Sequence, residues 1–478
     1  MAINRNFLVK QGIQIGLTAN AGSTWTSNNF ISNKNDIQAP PSLSLDFTKG
    51  YIDPRVQTLR ASSATYVDQN GLIQVVGNNV PRVEYDIDTG VCRGLVAEEA
   101  RTNLFWYSDI EGVVGELARG MNWATNNPTP VVSTDYWIGP NKMSCKHTRG
   151  VQGDNNVGYM YNQQTMTGNS WYTFSVYVYI PSSSNLNDLY AYVEGPGASS
   201  IINPSARANL SIRDKWQRIV NPYVANTSIA LGGMAWVLRI DPPGAVVYTD
   251  CWQLEQGEYA STWIPTTNVL TATRIEDRAY IFPFTQFHNP TDFSIHVEAT
   301  PKWTANSTLP SYTTQYGVNG SNRSVAGLNF YSGPTNQYGS SPYNGYGLAY
   351  ASGASTFGLY WNSRLYGNTT IGFATSGSSQ GVTVPNTGHT YNTFVANTSM
   401  KFGVTANSTV GSIMLNGNIS TYANGGTPYM PAIYTDLLSI GWAIQGGVGP
   451  LEFGGNIKKF SYYPRSLSLN ELTAITET

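Results

Sequence analysis

The chain reads as all-β: tandem β-sandwich (jelly-roll) domains after a short N-terminal anchoring segment and a β-hairpin connector. Three observations predict this. Charged residues make up only 12% of the 478 residues, a poor composition for exposed helices. Aromatics also reach 12%, led by 31 tyrosines against 16 phenylalanines, and such side chains suit a half-buried pleated surface. Short alternating runs are divided throughout by Gly, Asn, Ser and Pro turn signals. The length exceeds one compact core and suggests two or three domains.

Residues 1–45 begin with an alternating apolar piece, Phe7, Val9, Ile13 and Ile15. The polar run TANAGSTWTSNNFISNKND, which carries Trp25, and the tripeptide APP at 39–41 follow. Such a segment has little to bury by itself and orders mainly against something else. It is either an anchoring peptide, with Phe7, Val9, Ile13, Ile15 and Trp25 as the anchoring side chains, or a loose terminus.

Residues 46–108 form the connector, read as two hairpins. ATYVDQNGLIQVV sets Asp68-Gln69-Asn70-Gly71 between two β-prone runs, with Gly71 free to take positive φ. VEYDIDTGVCRGLV repeats the plan around Asp86 to Gly90. GLVAEEARTNLFWYS closes the region, and its Glu98, Glu99, Arg101 and Asn103 suit a polar tie between segments better than a catalytic acid.

Residues 109–267 form the first large domain. In WYTFSVYVYI, Tyr172, Phe174, Val176, Val178 and Ile180 alternate with Thr173, Ser175, Tyr177 and Tyr179, which predicts a strand with one face in a core. DLYAYVEG, KWQRIVNPYV, GGMAWVLRI and VVYTDCWQLE supply further strands, and several at this spacing imply a jelly roll. QLEQGEYASTWIPTT ends the domain. Its Glu255 and Glu258 pose a choice between a hydrolytic carboxylate pair and a structural boundary. Glu255 falls on the last strand and Glu258 in the turn after it, so we read a boundary pinned by Trp263, Ile264 and Pro265.

Residues 268–478 form the second sandwich. TDFSIHVEATP predicts an inner strand, and Asn416-Gly417-Asn418 a hairpin turn. NIKKFSYYPRSLSLNELTAI predicts a strand, a bend and a short helix opened by a capping box of Ser468 and Glu471.

These motifs resemble a known family. LDFTKG, DPRV, RASSATYVDQNGLI, NVPRVEYD and GLVAEEARTNLFWYS, ending in QLEQGEYASTWIPTT, are similar to a module of tailed-phage fibre and spike proteins, over Leu45 to Thr267. INRNFLVKQGIQIG resembles the virion-proximal start of cyanobacterial phage structural proteins. KKFSYYPRSLSLNEL resembles the closing strand and helix of concanavalin A-like sandwiches. The resemblance implies a virion protein, usually a homotrimer, held to other virion proteins through its N-terminal segment and used for host attachment. It further implies carbohydrate-binding-like jelly rolls and transfers no catalytic residue.

Residues 299–435 contain no Asp or Glu, so most of the second sandwich cannot supply the two carboxylates of a glycosidase or the acids of a calcium site. A depolymerase would have to build an acidic groove across subunits, from Glu298, Asp436 and Glu452. His296 reads as a structural strand residue. No nucleophile elbow or phosphate loop is present. Cys92, Cys145 and Cys251 have no disulfide or zinc spacing and read as buried free thiols. No cofactor or metal is expected. A net charge of −2 gives no drive toward nucleic acid, and no apolar run is long enough for membrane insertion. The start lacks the apolar core of a signal peptide, so folding in the host cytoplasm and assembly into a virion are expected.

Sugar binding asks for less: an aromatic face for the C–H side of a ring and polar groups for its hydroxyls. YSGPTNQYGSSPYNGYGLAY offers Tyr331, Tyr338, Tyr343, Tyr346 and Tyr350 as a candidate binding loop, with Trp303 and Trp361 as possible neighbours. The competing reading packs these rings inside the sandwich or between subunits. The expected function is host-surface glycan contact without cleavage. The alternatives are a purely structural head fibre or decoration subunit and a glycan depolymerase.

Overall fold

The computed structural model describes residues 40–476 apart from 125, 152–154, 195–204, 226, 304–322, 330–344, 354–355, 364–368, 373–395, 408–410, 423–436 and 446–448. The elements below belong to one compact unit, Pro41–Thr478. They are almost entirely antiparallel strands arranged as two sandwiches.

Phe293–Pro301 is the expected inner strand of the C-terminal sandwich, between Met400–Ala406 and Gly455–Tyr463. Its Phe293, Ile295, Val297 and Ala299 point into a core shared with Phe402, Phe460 and Tyr462. The sheet continues outward through Gly411–Leu415 and Asn418–Tyr422 on one side. An opposing seven-stranded sheet contributes Val56, Ala279, Ile281, Leu438 and Ile440 to the same core.

The segment expected to be a separate connector, together with the last residues of the expected anchoring segment, completes these sheets. Leu43–Asp46 pairs with Gly455–Tyr463, setting Leu45 opposite Phe460. Val56–Leu59 adds to Arg278–Ile281, and Cys92–Ala97 pairs with the start of the Gly455–Tyr463 strand. The expected boundary at 45/46 falls inside a strand, while the one at 108/109 lies between Arg101–Asn103 and Val131–Ser133, which belong to different sheets. Arg101–Asn103 pairs with Ala272–Arg274, so the chain leaves the C-terminal sandwich and returns to it at adjacent points. The jelly roll is an insertion between them.

That jelly roll packs a four-stranded sheet against a five-stranded one. Phe105, Phe174, Trp236 and Trp252 fill its centre, with the Phe105 and Trp236 rings edge-on at 5.4 Å. Ser170–Tyr179 supplies Tyr172, Phe174, Val176 and Val178 to this core, as its period-two pattern predicts. Its other face is covered as well. Tyr177 and Tyr179 join Val67, Ile73, Trp216, Tyr248 and Trp263 in a second cluster, where the hairpin Ala64–Val67 and Ile73–Val76 lies on the jelly roll. The expectation of one buried face is thus corrected to two.

The local signals are realised closely. Gly71 and Gly90 take φ of 76° and 69° in the two early hairpins, and Asp68 Oδ1 accepts from the backbone N–H of Asn70 and Leu72. Asn416 and Gly417, at φ 45° and 78°, form a two-residue turn between Leu415 and Asn418. Leu469–Thr476 is the closing helix. Ser468 N–H donates to Glu471 Oε2 at 2.9 Å, and Glu471 N–H donates to Ser468 Oγ at 3.3 Å. Cys145 and Cys251 are buried free thiols, and Cys92 is a free, half-buried one.

Candidate functional site

The stretch GLVAEEARTN is a buried clamp. Glu98 is fully buried. Its Oε1 accepts from Thr262 N–H at 2.9 Å and Lys302 Nζ at 2.8 Å, and its Oε2 from Thr262 Oγ1 at 2.7 Å and Arg274 Nη1 at 2.6 Å. Arg82 bridges Glu98 to Asp277, which also takes Arg60 Nη1 at 2.7 Å. Burial pushes the Glu98 carboxyl up, but Lys302, Arg274 and Arg82 outweigh it and hold the group well below the usual carboxylate range. Asn103 uses its whole amide: Nδ2 donates to Trp252 O and Ile264 O, while Oδ1 accepts from Leu254 and Phe105 N–H. Motifs that looked like a polar tie join three parts of the chain.

The two glutamates of QLEQGEYASTWIPTT separate in the same way. Glu255 is fully buried; its Oε1 accepts from Gln253 Nε2 at 2.6 Å and Ser261 N–H at 2.9 Å. Gly257, at φ 139°, ends the strand before half-buried Glu258. Trp263, 1% exposed, pins the exit as expected. A carboxyl pair lies elsewhere. Asp109 and Asp250 are buried in the jelly roll; burial and the nearby Glu111 push Asp109 up to about 7, and burial and Asp109 push Asp250 up to about 8. Buried as they are, they offer no approach to a polymer. Among the described residues no group of three or more His, Cys, Asp or Glu is placed to hold a metal.

The surface with binding character is the outer face of the four-stranded sheet. In Asp188–Glu194, Leu189, Ala191 and Val193 are buried while Tyr190 and Tyr192 face outward, half-buried. The neighbouring Ala235–Asp241 strand sends Trp236, Leu238 and Ile240 inward and turns Arg239 out. Register places Tyr192 opposite Val237, which is opposite Tyr159, so the outward positions form a row across three strands. Tyr159 and Tyr161 meet edge-on at 5.4 Å, and Tyr161 is 37% exposed. Arg239 lies over the Tyr190 and Tyr192 rings at 5.8 and 5.5 Å, and Arg207, paired with Asp188, covers Tyr190 at 4.7 Å. Tyr192 Oη lies 3.1 Å from both Asn156 Oδ1 and Glu194 Oε2 and has one proton to donate to either. Burial and the Glu194 charge push its phenol up to about 12, so it remains a neutral donor. Four tyrosines, two guanidiniums and two carboxylates thus share one exposed sheet face. They fit the stacking and hydroxyl-recognition requirements of a sugar site.

Sequence reasoning missed this face, although DLYAYVEG and NVGYMY carry its signal: tyrosines at every second position opposite small or aliphatic residues. The expected site fares differently. Tyr331, Tyr338 and Tyr343 lie outside the described residues, as do the anchoring candidates Phe7, Val9, Ile13, Ile15 and Trp25. Tyr346 and Tyr350 lie in the strand Gly345–Gly353 instead of a loop, and Trp361 pairs with Leu348 on the next strand. Trp303 is corrected outright. It is 3% exposed in the sandwich core, and its Nε1 donates to Phe453 O at 2.7 Å, so no ring face is open for stacking. Of the acids named for an inter-subunit site, Glu298 is paired with Lys458 and Lys459 and Glu452 with Arg278, while Asp436 lies outside the described residues. His296 is buried in its strand, and burial pushes it down to about 4.

No family model matches the chain, and no curated protein does. Solved structures similar to it include the Ruminococcus gnavus IT-sialidase CBM40 bound to alpha2,3 sialyllactose, at 15% identity and TM-score 0.27, covering 41% of this chain and 86% of that one. The bacteriophage CBA120 tailspike protein 2 enzymatically active domain aligns at 9% identity and TM-score 0.28, over 41% of this chain and 25% of that one. The CBM22-1-CBM22-2 tandem domain of Paenibacillus barcinonensis Xyn10C aligns at 10% identity and TM-score 0.27, over 77% and 99%. Scores this low leave the fold to be read from the sheets themselves.

Proposed function

We propose that this chain is a phage virion fibre or spike subunit that contacts host-surface glycan through the tyrosine face of its jelly roll and does not cleave it. The observation that carries the reading is the outward row of Tyr159, Tyr161, Tyr190 and Tyr192 with Arg239 over two of the rings. Rigid aromatics lose little entropy on contact, and neighbouring guanidinium, carboxylate and amide groups orient hydroxyls. The ordered fibre-like motifs supply the virion context, with a homotrimer and an N-terminal attachment to other virion proteins as its expected form. Retention on immobilised host polysaccharide, with no new reducing ends after prolonged incubation, is the expected outcome. Glycan shortening would restore the depolymerase reading.

The purely structural reading also draws on a specific observation. Arg60, Arg82, Glu98 and Thr262, from four of the motifs that resemble fibre proteins, are spent on the buried clamp, which is internal wiring. A head fibre or decoration subunit predicts labelled protein on the capsid of intact virions and no saturable binding to host cells. Tail labelling with saturable binding favours the glycan-contact reading.

A further inference from the structure

A second concave feature lies away from the tyrosine face. A groove of about 530 Å³ opens where the second early hairpin, the outer side of the five-stranded sheet and the C-terminal sandwich meet. The hairpin contributes Tyr85 and Arg93, the sheet Trp171, Arg218 and Val220, and the sandwich Lys302. The size falls within the range of small-molecule sites, about 300–1,000 Å³. We propose that this groove is a separate binding site for a neutral saccharide of a few rings.

Its chemistry selects that class. The charged lining comprises three cations, Arg93, Arg218 and Lys302, and three acids, Glu84, Asp88 and Glu258. Their formal charges sum to zero, so the lining carries no net charge that favours an anionic or a cationic ligand. The cations are also held in place. Lys302 lies 3.1 Å from Glu84 and 2.8 Å from Glu98, and Arg93 pairs with Asp86. Arg218 donates to Ser261 O and Ser175 Oγ, each at 2.8 Å, with its guanidinium over the Tyr177 ring. Fixed polar groups beside half-buried Tyr85 and Trp171 suit hydroxyls and C–H faces in the same small space. Because the walls come from three parts of the chain, an occupant would also strengthen their association, and binding should raise the unfolding midpoint.

The test uses the full chain carrying Tyr190→Ala and Tyr192→Ala, so that the tyrosine face is silenced and the two sites are read separately. Neutral gluco- and mannotrioses are titrated by calorimetry and thermal shift, with sialyllactose as the charged comparison. Saturable binding of a neutral trisaccharide is expected, weakened at least tenfold by Val220→Arg. Val220 is 38% exposed, so an arginine there fills the groove without entering a core. Trp171→Ala should weaken binding similarly; should that variant unfold, Val220→Arg alone decides. No binding at millimolar sugar, binding indifferent to Val220→Arg, or preference for sialyllactose would each overturn the proposal. Failure here leaves the tyrosine face untouched, since that site is absent from the protein tested.

Discussion

At the scale of single residues, two buried carboxyl systems behave oppositely and make opposite predictions. Glu98 faces Arg82, Arg274 and Lys302, and removing its charge leaves three buried cations short of a partner. Glu98→Gln should destabilise the protein by about 3–5 kcal/mol, the range for breaking a buried ion pair, measured by urea unfolding at pH 7. Its folded-state pKa is depressed. The stabilisation is therefore present above the unfolded carboxyl value and lost only as pH falls through the lower folded one. The penalty of Glu98→Gln should be the same at pH 7 and pH 5. Asp109 and Asp250 are raised to about 7 and about 8, so their contribution is greatest below the unfolded value and fades as pH rises through those numbers. The wild-type midpoint should fall between pH 5 and pH 8, and Asp109→Asn should flatten that fall. An unchanged slope would show that the pair does not titrate as described.

At the scale of elements, the legible part was whatever depends on local chemistry. The Asn416-Gly417 turn, the Gly71 hairpin and the Ser468/Glu471 box are each fixed within a few residues, and all three were readable. Ser468→Ala should cost about 1 kcal/mol, the usual worth of a helix cap, with the C-terminal helix losing amide protection first. What covers a strand was not readable. Tyr177 and Tyr179 alternate with aliphatics and so resemble a solvent face, yet a hairpin from a hundred residues upstream lies over them. Tyr190 and Tyr192 show the same alternation and do face outward. Periodicity tells which residues share a side; only the long-range partners tell whether that side is wet. Trp303 is the same lesson in reverse, an aromatic in a polar stretch that turns into the core.

At the scale of the whole molecule, the C-terminal sandwich takes strands from both ends of the described chain and carries the jelly roll as an insertion. Sequence pattern gave the two sandwiches but not this nesting, because a strand edge carries no label for a partner several hundred residues away. The Glu98 clamp spans the crossing points through Thr262 and Arg274. Calorimetry should therefore show one unfolding transition for the wild type and two for Glu98→Gln; two in the wild type would mean the parts are uncoupled. The function proposed rests on the jelly roll's exposed tyrosines, and it meets its most direct test in a binding isotherm. Purified chain is titrated with host-surface polysaccharide, wild type beside the Tyr190→Ala/Tyr192→Ala variant. Saturable wild-type binding, weakened at least about tenfold (1.4 kcal/mol) in the variant with an unchanged melting temperature, is the predicted result. Equal affinity in the two proteins, or no binding by the wild type, would contradict it.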